Sequence, residues 1–76
     1  MKNLSNLARE LAIKNKKHIA RITDNRDCAC ENIVEYLLQE TGKKIENLSE
    51  EELEKYWNAA YYGYQAIENF LDYLED

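Results

Sequence analysis

The sequence predicts an all-α fold: a small three-helix bundle with a long C-terminal helix, or four helices if that last one breaks near Gly63. Three observations carry this. The 76-residue chain has no Pro and only two Gly, Gly42 and Gly63, too little punctuation for the tight turns of a β-sandwich or barrel. Apolar residues recur every three or four positions through three segments, as helices with one dry face require. Residues suited to satisfying free backbone groups stand at the segment ends. The chain 1–76 reads as a single helical domain with helices at about 5–22, 25–41 and 50–75.

In the first segment Leu4, Leu7, Ala8, Leu11 and Ala12 fall at helical spacing, and Ile19 and Ile22 resume it after "KNKKH". Ser5 suits the cap if the helix starts at Asn6. Lys16, Lys17, His18 and Arg21 gather towards the end, where cations favour the helix dipole. The middle is weakly apolar and leaves room for a break near Asn15. "TDNRD" is rich in residues that bond their own backbone and suits a connection. Asp24 is placed to cap the second helix and Asp27 falls in its first turn. Cys30, Ile33, Val34, Leu37, Leu38 and Thr41 form its apolar stripe, and Gly42 stops it in a left-handed cap.

The third helix has the best-defined start. Ser49 to Glu52 has the form of a capping box, with Leu48 and Leu53 as the hydrophobic staple around it. From there the helical pattern runs to Leu74, interrupted only at Gly63. Seven of the eight aromatic residues lie between Tyr56 and Tyr73. Leu53, Trp57, Ala60, Tyr64, Ile67, Leu71 and Leu74 form one core seam, and Tyr56, Ala59, Gly63, Ala66, Phe70 and Tyr73 a second beside it. Two seams about 100° apart suit a helix packed against two neighbours. Small residues in the second seam let another backbone come close. Tyr61 and Tyr62 belong to neither and fall on the face expected to be wet. A helix of about 26 residues spans about 39 Å, against about 25 Å for the second. Its final turns, with Phe70, Leu71, Tyr73 and Leu74, are therefore expected to overhang the others or to meet another chain.

The net charge of −5 conceals an asymmetry: residues 1–26 carry a net +5 and residues 27–76 a net −10. Two readings fit: a basic helix packs beside an acidic one and the fields partly cancel, which is the commoner arrangement, or the surface has two poles, one of which meets a charged macromolecule. "MKNLSNLARELA" lacks the apolar run and small-residue cleavage site of a secretory signal. No apolar run approaches the roughly 18 residues of a membrane-spanning helix, so a cytoplasmic location is the default expectation.

Catalytic chemistry finds little footing. The single His18 stands in no recognisable nucleophile motif, and no Gly-rich phosphate loop exists; the chain reads as a non-enzyme without cofactors. Cys28-Ala-Cys30 with His18 leaves a zinc site one ligand short unless Asp24 or Asp27 joins. Residues two apart on a helix point about 200° apart, so the thiols separate: Cys30 as a small buried hydrophobe, Cys28 exposed. A metal or redox module at these cysteines is thus the least favoured of three functional classes.

Two binding readings stand above it. "LARELAIKNKKHIARI" weakly resembles a helix-turn-helix, with Ala12 where the turn glycine is expected and the downstream spacing off by one. That resemblance implies a small nucleic-acid-associated regulator contacting phosphates through Lys14, Lys16, Lys17, Arg21 and Arg26. The acidic remainder opposes it. The favoured reading reverses the charge argument: Glu50, Glu51, Glu54, Glu68 and Asp72 steer the molecule to a basic surface on another protein, and Tyr61, Tyr62, Phe70 and Tyr73 supply the hold. In size and charge the chain resembles, as a class, the small acidic proteins of phages and mobile elements that block host nucleases or polymerases. The expected function is a protein-binding module that regulates or inhibits such a partner by occupying its nucleic-acid-binding surface. A homodimer through the C-terminal helix is a further expected contact.

Overall fold

A computed structural model of the protein describes residues 3–22 and 25–75, with side chains described to residue 68. Among these residues there are four α-helices, α1 (Leu4–Lys14), α2 (Lys16–Ile22), α3 (Arg26–Thr41) and α4 (Glu50–Glu75), with a 3-10 turn at Ile45–Asn47 and no strand. The all-α bundle expected from the sequence is present. Its fourth helix has a different origin from the one anticipated. The segment expected as one helix over 5–22 divides at Asn15, whereas α4 runs unbroken through Gly63. Asn15 leaves helical geometry at φ −108°, ψ 14°. Its side-chain Nδ2 donates to the Leu11 carbonyl at 2.8 Å, the same oxygen its backbone N–H uses at 3.0 Å. An Asn side chain competing for a helix carbonyl is a standard cause of such a break.

Asparagines also take two caps expected elsewhere. Asn3 Oδ1, not Ser5, accepts from the Asn6 amide at 2.8 Å. Asn25 Oδ1 caps α3, accepting from the amides of Asp27 at 2.8 Å and Cys28 at 3.3 Å; Asp24, the expected cap, lies outside the described residues. Ser, Asp and Asn cap about equally well, so adjacent candidates cannot be ranked by residue type. The other two termini form as expected. Gly42 adopts φ 69°, with Gly42 N–H bonded to the Gln39 carbonyl and Lys43 N–H to that of Leu38, the Schellman pattern. At the start of α4 the Glu52 amide donates to Ser49 Oγ at 3.2 Å, and the Ser49 amide and hydroxyl donate back to Glu52 Oε1 at 3.5 and 3.3 Å. Lys43 Nζ, 3.2 Å from Glu52 Oε2, ties the end of α3 to this box.

The core joins Ala8 and Ala12 of α1, Ile19 of α2, Ala29, Cys30, Ile33, Val34, Leu37 and Leu38 of α3, and Tyr56, Ala59, Ala60 and Ile67 of α4. Tyr56 is buried whole, and its hydroxyl meets Thr41 Oγ1 at 2.9 Å. The Thr41 hydroxyl has its own acceptor in the Leu37 carbonyl at 2.8 Å, so Tyr56 is the donor of the pair. α1 crosses α4 in close contact at Gly63. A Cβ placed on Gly63 would stand 2.8 Å from the Ala8 carbonyl oxygen and 2.9 Å from its carbon, closer than carbon tolerates. Gly63 is thus the residue that lets α1 seat, as the small-residue seam implied.

That crossing also corrects the seam assignment. The buried residues of α4 centre on the line between the two seams, leaving the outer margin of each in solvent. Trp57, expected in the core, is 38% exposed, and Ala66 is exposed as well. Ile22 likewise lies open rather than resuming the α1 stripe, because the break at Asn15 resets the phase. The longest dimension, 39 Å, equals the span about 26 helical residues would cover. No helix among the described residues is long and apolar enough to cross a membrane.

Candidate partner-binding face

With Tyr56, Ala59, Ala60, Gly63 and Ile67 turned inwards, one flank of α4 is left largely in solvent. Along it run Glu50, Glu54, Trp57, Tyr61, Tyr64 and Glu68, each three or four residues after the last, the spacing at which helix side chains are neighbours. Glu50, Glu54 and Glu68 are exposed, Tyr61 is 45% exposed, and Tyr64 is half-buried. The rings of Tyr61 and Tyr64 stack with centroids 6.5 Å apart and planes at 30°. The result is a file of three rings closed at both ends by carboxylates.

The start of α3 lies against this file. The guanidinium carbon of Arg26 sits 5.8 Å from the Tyr61 ring centroid, within range for attraction to the π face. Arg26 Nε is 3.7 Å from Asp27 Oδ1 at the surface. Asn25, Arg26, Asp27, Tyr61, Tyr64 and Glu68 together line an open cleft. Arg26, grouped by sequence with the phosphate-contacting cations, belongs instead to the aromatic face.

The expected site residues are only partly brought together. Glu50, Glu54, Tyr61 and Glu68 share the file. Glu51 is exposed but turns roughly 80° away from Tyr61 around the helix. Tyr62, 42% exposed, leans to the α1 side, where it lines a separate shallow cleft with Arg9, Gln65 and Ala66. The adjacent tyrosines therefore serve two surfaces, because consecutive helix positions differ by about 100°. Phe70, Asp72 and Tyr73 lie beyond the described side chains, and with them the expected overhang and homodimer contact. Trp57 is the residue missed: its register with Glu50, Glu54 and Tyr61 marked it for this face, but the same register fitted a core seam.

Of the remaining cations, Lys14, Lys17 and Arg21 are exposed and Lys16 is half-buried. The helix-turn-helix likeness does not extend to the connection. α1 and α2 meet at one residue, Asn15, rather than across a turn of three or four. The thiols part as expected, Cys28 exposed and Cys30 buried. Burial pushes the Cys30 thiol above its ordinary range, opposed by nearby Arg26 and reinforced by Asp27. Among the described residues no three His, Cys, Asp or Glu side chains come close enough to share a metal ion. No protein family, curated protein or solved structure matches the chain.

Proposed function

We propose that the protein is a non-enzymatic binding module that docks the outer face of α4 on a basic surface of a partner protein and regulates or inhibits that partner by covering it. The observation that carries this reading is the placement of exposed Trp57 and Tyr61 between Glu50 and Glu54 on one side and Glu68 on the other. Large rings supply contact area at little entropic cost and dominate interface energetics. The carboxylates steer a basic partner and discriminate against acidic ones. Where the covered surface is one that binds nucleic acid, the acidic face competes for it, as inhibitors of the phage type do. The direct nucleic-acid reading draws less support, since Arg26 is engaged with Tyr61 and α1 and α2 lack the helix-turn-helix connection.

The test is affinity purification from cells of the native host, comparing wild type with Trp57→Ala/Tyr61→Ala and with Glu40→Gln, which alters an exposed residue at the opposite end of α3 from Arg26. A partner recovered by wild type and Glu40→Gln but lost by the double variant is expected. Equal recovery by all three proteins overturns the docking face.

A further inference from the structure

We infer that this face selects arginine: its occupant is an arginine-bearing segment of the partner, whose guanidinium stacks on the Trp57 and Tyr61 rings while its N–H edge reaches the flanking carboxylates. The inference rests on the docking reading above and narrows its partner chemistry from basic to arginine-bearing.

The molecule itself supplies the first argument. One guanidinium already lies over Tyr61, that of Arg26 at 5.8 Å, so the ring accepts a planar cation in its present setting. Arg26 approaches from the α3 side, and Trp57 keeps 38% of its surface open on the same file. The stack of Tyr61 on Tyr64 holds those two rings in a defined orientation, and exposed Trp57 beside them offers the open ring surface.

The second argument is the position of the acids. Glu54 precedes Trp57 by three residues, and Glu68 follows Tyr64 by four, so a carboxylate stands about one turn from the rings at each end. A ring face beside a carboxylate suits guanidinium better than ammonium. Guanidinium is planar, weakly hydrated and forked, so it stacks and bonds a carboxylate at once; the Lys ammonium is a compact charge that keeps its water. Charge complementarity calls for a cation, and the ring file calls for a flat one.

Trp57 is the only Trp of the chain, so its emission reports on this face alone. The experiment titrates the full chain at physiological salt with an Arg-Gly repeat peptide and with the same peptide carrying Lys for every Arg. The Arg peptide is expected to shift Trp57 emission and to bind about fivefold more tightly than the Lys peptide, the scale of one exposed cation–π contact. Tyr61→Phe keeps the ring and is expected to keep that preference; Tyr61→Leu keeps apolar bulk without a ring and is expected to lose it. Tyr61 is 45% exposed, so circular dichroism of both variants should match wild type. Equal affinity for the two peptides, or a preference that survives Tyr61→Leu, overturns arginine selection and leaves the docking face standing. Failure of both peptides to bind overturns the basic-partner reading along with it.

Discussion

Tyr61 and Gly63 stand two residues apart on α4 and answer to opposite demands. Tyr61 faces water beside Arg26, while Gly63 is pressed against the Ala8 backbone. In an exposed helix Gly→Ala gains about 1 kcal/mol of helix propensity. At position 63 the new methyl meets a backbone carbonyl at 2.8 Å, which cannot rotate aside, and overpacking of this kind costs about 1–3 kcal/mol. Gly63→Ala is expected to lower unfolding free energy by about 1 kcal/mol in urea denaturation; a stabilised variant would show that α1 and α4 do not approach so closely. The two cysteines differ just as sharply at this scale. Cys28 is open and Cys30 is 5% exposed with its thiol pKa raised by burial. A disulfide reagent is expected to titrate Cys28 rapidly in the native protein and Cys30 only at the rate of unfolding. Equal rates would mean that α3 does not pack as described.

At the scale of elements, the junction of α3 and α4 has a pH dependence of known sign. The Glu52 carboxyl is held below its ordinary pKa, first by the hydrogen bond from Lys43, then by the Ser49 amide, with the Lys43 charge adding to both. Its folded pKa lies below its unfolded value near 4.3, so the contribution is present above that value and is lost as pH falls through the folded pKa. Glu52→Gln is expected to reduce stability at neutral pH, with the gap from wild type closing below about pH 4. A gap that stays constant to low pH would show that the carboxylate plays no part. The capping box and the Gly42 stop were legible in the sequence because each depends on residues within a few positions of itself. The break at Asn15 was legible only as a weakness in the apolar pattern. Its cause, a side chain taking the Leu11 carbonyl, is geometry that residue type alone does not express.

At the scale of the whole molecule, what the sequence left open was which side of α4 is dry. Its seams fitted Trp57 into the core as well as Tyr64, since both lie at helical spacing from Ala60. The contact of Gly63 with Ala8, 55 residues away in the chain, turns the helix so that Trp57 joins Tyr61 and the carboxylates outside. Exposure of Tyr61 and Tyr62 was legible from their register; that they face different neighbours follows only from where α1 and α3 lie. The same packing leaves α4 with an inner face that holds the fold and an outer face exposed to solvent. The most direct test of that division is the affinity of the recovered partner for Trp57→Ala/Tyr61→Ala, measured by calorimetry beside the urea midpoint. An affinity loss of at least about tenfold, roughly 1.4 kcal/mol, is expected with the midpoint unchanged. Undiminished affinity would show that these rings hold no partner, and a lowered midpoint would show that they hold the fold instead.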